Sequence, residues 1–153
     1  MEHTDIFEGI SRRPLYELQP GVKTAIISAN DIASTNIMAF QEILLQIEHL
    51  KLEGRVHNKK PDSFAEFFNK ILMNPASKLR TLFLYEVWIS PEETKLLSTA
   101  LVSNTTLESL YLTFNQIGDD GARSLASAFE KNTTWRLQSL SLSLSLPLYL
   151  LLL

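Results

Sequence analysis

One stretch of this chain is written twice. Leu79-Arg-Thr-Leu82-Phe-Leu84 and Leu107-Glu-Ser-Leu110-Tyr-Leu112 begin 28 residues apart. The same offset relates Ile89 to Ile117, Leu97 to Leu125, Ala100 to Ala128 and Asn104 to Asn132, and Thr-Thr follows both asparagines. Self-similarity at a period of roughly 20–50 residues is the signature of a stacked array, whose units are each too small to bury an apolar face alone. The 27 leucines among 153 residues fit that reading, because every unit has to spend several of them on a shared interior.

Weaker copies extend the pattern in both directions. Pro61 to Asn74 parallels Pro91 to Asn104 at a shift of 30, with a strand at Ile47, Leu50 and Leu52. Val22, Ala25, Ile27, Asn30 and Ile32 repeat the spacing of Leu107, Leu110, Leu112, Asn115 and Ile117. Leu137, Leu140 and Leu142 open a further copy, two residues late because Trp135-Arg136 is inserted. The expected organisation is an N-terminal cap or the remnant of another domain over residues 1–21, about four units over 22–136, and a partial fifth unit running into a Leu/Ser tail over 137–153.

The physics of one unit is legible in Leu107 to Thr134. Leu110 and Leu112 alternate with Ser109, Tyr111 and Thr113, the period of a half-buried strand. Asn115 follows, and its amide can both donate to and accept from backbone groups left without partners where the strand stops. Gly118 and Gly121 flank Asp119-Asp120 and permit a tight entry into the next element. From Ala122 to Lys131, Ala122, Leu125, Ala126, Ala128 and Phe129 fall at helical spacing.

The string Leu107-x-x-Leu110-x-Leu112-x-x-Asn115-x-Ile117-Gly118-x-x-Gly121-Ala122-x-x-Leu125-Ala126 closely resembles the leucine-rich repeat of the ribonuclease-inhibitor type. The resemblance covers about residues 22 to 146 and weakens upstream. It implies an α/β solenoid, a right-handed horseshoe with a parallel sheet on the concave side and helices on the convex side. Asn30 and Asn115 then stand as structural ladder asparagines. Val87 and Arg55 replace that asparagine in the middle units, and Ser90 and Glu93 replace the two glycines, so those units read as degenerate.

Composition narrows the function. Fourteen basic against 17 acidic residues give a formal net charge of −3, which argues against a nucleic-acid partner. The absence of cysteine excludes thiolate chemistry and disulfides. His3, His49 and His57 have no metal-ligand spacing, and no nucleophile elbow, phosphate loop or dinucleotide turn is present. Glu92-Glu93 and Asp119-Asp120 open helices, where carboxylates complement the helix dipole. The expectation is a non-enzyme with no cofactor and no metal.

The start of the chain is acidic and lacks an apolar run, so a cytoplasmic location is expected, with the nucleus second. The sequons at Asn104 and Asn132 would then go unused. The uncharged run Leu137–Leu153 is 17 residues long, interrupted by Pro147, and short of the ~20 that a membrane span needs. The basic run from Arg55 to Lys60 reads as a solvated loop.

Side chains projecting between the buried leucines are where such a repeat binds. The central position of successive strands carries Ile26, Lys51, Phe83, Tyr111 and Ser141. Phe83, Tyr85 and Tyr111, with Phe114 just beyond its strand, are expected to cluster as partner-binding residues, with Lys51 and Glu53 beside them. Trp88 and Trp135 are assigned to packing. The resemblance implies recognition of another protein through the concave face. A regulatory alternative, an array acting on a small GTPase in the manner of Ran GTPase-activating proteins, calls for a positioned loop arginine, and Arg55 is the candidate. A further alternative is a fragment of a nucleotide-binding immune-type receptor.

Overall fold

The computed structural model describes residues 6–34, 36–56, 64–133 and 139–142. Strands β1 (Arg12–Arg13), β2 (Thr24–Ser28), β3 (His49–Glu53), β4 (Thr81–Tyr85), β5 (Ser109–Leu112) and β6 (Ser139–Leu142) form one sheet in chain order. Every neighbouring pair is parallel. A parallel pair needs a crossover between its strands, and in the later units that crossover is a helix. These helices are α4 (Pro91–Ser103) and α5 (Gly118–Lys131). The first unit crosses through α1 (Ala29–Ser34), a 3₁₀ turn at Ile37–Phe40 and α2 (Gln41–Gln46).

The register follows the repeat. Ala25, Leu50, Leu82, Leu110 and Leu140 lie side by side across the sheet, as do Ile26, Lys51, Phe83, Tyr111 and Ser141. Ile27, Leu52, Leu84 and Leu112 are fully buried, and Leu50, Leu82 and Leu110 are no more than 1% exposed. Each such leucine contributes roughly 1.5–3 kcal/mol relative to an exposed one. They belong to one contiguous core that also takes in Phe64, Phe67, Phe68, Ile71, Leu97 and Leu125 from the helical side.

Each strand entry is tied to the unit before it by a shared carbonyl. Lys23 O accepts from the amides of Glu48 and His49, Glu48 O from Arg80 and Thr81, and Arg80 O from Glu108 and Ser109, at 2.7–3.0 Å. The same main-chain bonding pattern recurs at three junctions, and ion pairs Lys23–Glu48 and Arg80–Glu108 span two of them.

Several local expectations change. Helix α5 begins at Gly118, so Gly121 lies inside it and its service is clearance. A Cβ there would fall 2.9 Å from both Thr94 Cβ and Ile117 Cγ2. Gly118 does take a left-handed turn, at φ 63°. The unit read as degenerate is not weakly built at its helix start: Ser90 Oγ accepts from the Glu93 amide and Glu93 Oε2 accepts from the Ser90 amide, a complete capping box. The segment parallel to Pro91–Asn104 is less regular, with one short α turn α3 (Ala65–Phe67) running into a π turn over Phe68–Leu72. Bulky Phe64, Phe67 and Phe68, all buried, fill the space that a longer helix occupies elsewhere. Trp135, His3, His57, Lys59-Lys60 and the tail beyond Leu142 lie outside the described residues.

The segment before the first full strand joins the sheet. β1 pairs with β2, Leu15 and Leu18 are buried, and the Leu15 amide donates to Asp31 Oδ2 at 3.0 Å.

Candidate functional site

Alternation along the strands sends one set of residues to the face opposite the helices, in three rows across the sheet. The first row is Thr24, His49, Thr81 and Ser109. His49 Nδ1 and Thr81 Oγ1 share a hydrogen bond at 3.0 Å. Burial pushes the His49 imidazole below its ordinary range, and the Glu48 carboxylate pulls it part of the way back. Glu48 itself pairs with Lys23 at 2.9 Å, and that ammonium holds the carboxyl below the usual value.

The second row runs through Ile26, Lys51, Phe83 and Tyr111. Phe83 and Tyr111 stack with ring centroids 3.9 Å apart and planes inclined by 11°. Phe7, from the N-terminal segment, meets Phe83 edge-on at 5.3 Å. Phe7 and Ile26 are both buried, yet neither belongs to the contiguous core between sheet and helices.

The third row, Ser28, Glu53 and Tyr85, leads to the ends of the strands. Tyr85 meets Phe114 at 5.5 Å in a T-shaped pair. Lys51 Nζ lies 5.2 Å from the Tyr85 ring and 3.0 Å from Glu53 Oε2. Arg55 bridges to Glu86 Oε1 at 2.7 Å while its guanidinium sits 4.7 Å from the Trp88 ring centre. Arg55, Tyr85, Glu86, Trp88 and Phe114 line an open recess of about 420 Å³. The four aromatic residues picked from sequence thus form two separate pairs, one central and one at the rim.

Exposure separates these groups. Phe114 is 58% exposed, Trp88 38% and Tyr85 36%, whereas Phe83 and Tyr111 are half-buried. Trp88 is therefore not a buried packing residue. Its sequence signal was its place just after a strand; the arginine beneath it arrives from 33 positions away and left no local trace.

Backbone strain gathers at the same rim. Gly54, Glu86 and Phe114 follow equivalent strand ends, and all three have left-handed φ, at 92°, 54° and 58°. Trp88 is left-handed too, at 61°. Only glycine takes that conformation without steric cost, about 1–2 kcal/mol for other residues.

The asparagines divide into three arrangements. Asn115 donates to Leu84 O at 2.7 Å and accepts from the Ile89 amide at 3.0 Å, spanning to the preceding unit. Asn30 sits in α1 and donates forward, to Arg55 O at 3.1 Å. A second ladder, missed in the sequence reading, runs at the helix ends: Asn104 donates to Leu72 O at 2.7 Å, and Asn132 to Leu101 O at 2.6 Å. Both are buried, so their amide nitrogens are in use and out of reach of glycosylation. The repeated Asn-Thr-Thr was the available signal.

Among the described residues, no group of three or more His, Cys, Asp or Glu could hold a metal ion. Nor is any described helix long and apolar enough to cross a membrane.

Comparison with known proteins gives three matches of note. Residues 103–126 match the family model for the leucine-rich repeat. The chain is 32% identical over 99 residues to mouse (Mus musculus) NACHT, LRR and PYD domains-containing protein 1b allele 4, covering 65% of this chain and 10% of the relative. It is 40% identical over 57 residues to pig (Sus scrofa) ribonuclease inhibitor, covering 37% of this chain and 12% of that protein. The chain thus spans about a tenth of the length of the curated relatives it matches.

Proposed function

We propose that this chain, a stacked array similar to leucine-rich-repeat proteins of the ribonuclease-inhibitor type, is a binding module that recognises another protein through the concave face of its sheet. The observation that carries this reading is the aromatic rim. Phe114, Trp88 and Tyr85 are each more than a third exposed, and two of them, Phe114 and Trp88, sit on strained left-handed backbone. Large rigid rings offer contact area at small entropic cost, which is why they anchor interfaces. Phe83, Tyr111, Lys51 and Glu53 extend the surface inward. Ribonuclease inhibitor is by its name a protein that acts on a protein, and its likeness to this chain supports the same class of partner.

Phe83 and Tyr111 stack on each other, so truncating them removes packing along with surface. Tyr85→Ala with Phe114→Ala is the cleaner test. The double variant is expected to lose capture of a partner by at least tenfold while unfolding within a few degrees of the parent. A convex control, Lys95→Ala with Arg123→Ala, should keep capture intact. Equal capture by both variants would overturn the concave-face reading.

The GTPase reading gains no support from Arg55, whose guanidinium is held by Glu86 and Trp88. A second reading does have an observation behind it. The mouse relatives carry NACHT and PYD domains beside their repeats, which favours an array working as the recognition part of a larger protein. Sequencing the transcript beyond both ends of this chain tests it: codons for such domains in frame support the idea, and stop codons close to both ends refute it.

A further inference from the structure

We propose that the N-terminal segment, residues 6–13, is a tethered stand-in for the partner, lying on the concave face and displaced when the partner binds. The inference rests on the concave-face reading above.

Two anchors carry it. Arg12 and Arg13 belong to β1 at one edge of the sheet, yet Phe7 touches Phe83 on β4. Those strands are three spacings apart, about 14 Å at ~4.8 Å each. The chain turns once between these anchors, the Ile10 amide donating to Phe7 O at 3.1 Å, and joining them takes the backbone over β2 and β3 on the face away from the helices. Arg12 projects the same way, its guanidinium 4.0 Å from Glu53 on β3. Phe7 is only 8% exposed, and Ile26, two places along the row from Phe83, is equally covered. Both residues are buried outside the main core, so a piece of chain, rather than the helical layer, covers this face.

The chemistry of the occupant follows from its anchors. An aromatic ring is taken edge-on by the Phe83–Tyr111 stack, and a cation five positions later is drawn to Glu53. The exposed ion pair adds little affinity and serves orientation. The recognised partner segment is therefore a peptide that turns just after an aromatic residue and carries an arginine or lysine at about that spacing. Tethering gives the built-in segment an effective concentration in the millimolar range, so a partner has to bind well enough to outcompete it.

The test needs no partner. A fluorescent synthetic peptide of residues 6–13 is titrated against the full chain and against the full-length Phe7→Ala variant. Binding to the variant is expected to be at least tenfold tighter than to the parent, and lost when the peptide carries Ala in place of Phe7. Adding Phe83→Ala to the variant should abolish it. Equal binding to parent and variant, or no binding to the variant at millimolar peptide, would overturn the proposal. Amide exchange at Ile10, whose N–H donates to Phe7 O at 3.1 Å, gives a second readout in the otherwise intact chain. Phe83→Ala should speed it tenfold or more, and unchanged exchange would count against the tether. The rim variants Tyr85→Ala and Phe114→Ala address the concave-face reading separately, so the two can fail independently.

Discussion

The Asn132 side chain reaches back one full repeat to donate to the main-chain carbonyl of Asn104 at 2.8 Å. Asn104 in turn reaches back to Leu72 O at 2.7 Å and accepts from the Thr106 and Leu107 amides at 3.1 and 2.8 Å. Asn104 and Asn132 are buried, and a buried polar group left unpaired costs about 1–3 kcal/mol. Asn104→Ala is expected to destabilise the chain by roughly 2–4 kcal/mol in urea denaturation, since it orphans donors and an acceptor together. The half-buried Asn74, whose side chain accepts from the Ala76 amide, should tolerate Ala with a loss under ~1 kcal/mol.

Gly121 offers a test with the opposite naive expectation. Helix propensity alone favours Ala over Gly by about 1 kcal/mol. The added methyl would sit 2.9 Å from Thr94 Cβ and Ile117 Cγ2, and neither is the loose end of a long side chain. Overpacking of that kind costs ~1–3 kcal/mol, so Gly121→Ala should lower stability, by about 1–2 kcal/mol net. Pairing it with Thr94→Ser removes Cγ2, 3.1 Å from the added methyl, but leaves Cβ at 2.9 Å, so it should recover only a small part of the loss. A Gly121→Ala chain as stable as the parent would show that the helix accommodates the methyl.

The sheet was readable before any coordinates because leucine spacing and strand register are the same information. A residue at a given place in one copy faces its counterpart in the next, so Leu82 beside Leu110 and Phe83 beside Tyr111 follow from the 28-residue offset alone. What the sequence concealed were relationships that do not repeat. The Ser90–Glu93 box replaces two glycines by a different solution to the same helix start, and substitution looks like decay when only one motif is compared. Phe7 on Phe83 joins a segment outside the repeats to one inside them, and no periodicity announces such a contact. Arg55 beneath Trp88 likewise depends on two turns meeting at the ends of neighbouring strands.

His49 sets a pH dependence whose sign can be worked out. Burial lowers its folded-state pKa below the unfolded value of ~6.5, while Glu48 and Glu108 oppose the shift and Arg80 reinforces it. The unfolded chain therefore binds the proton more readily between those two values. Stability supplied by neutral His49 is complete above about pH 6.5 and declines as the pH falls from there, levelling below the folded pKa. Chemical denaturation of the parent and of His49→Gln at pH 7.5 and pH 5.5 should show a smaller loss for the variant. An equal loss in both would exclude His49 as the source.

Phe114 brings the energetics and the proposed binding together in one residue. Its backbone is left-handed at φ 58°, where the equivalent exit from β3 is occupied by Gly54, and its ring is 58% exposed. A large side chain held in that conformation and left mostly in water contributes little to folding. Phe114→Gly removes the steric cost of ~1–2 kcal/mol and forfeits the edge contact with Tyr85, worth about 0.5–1.5 kcal/mol. Stability is therefore expected to change by less than about 1 kcal/mol, in either direction, while partner capture falls at least as far as in Phe114→Ala. A glycine variant that loses several kcal/mol would show that the ring is a structural element after all. One that keeps both stability and capture would remove Phe114 from the recognition surface and leave Trp88 and Tyr85 to carry the rim.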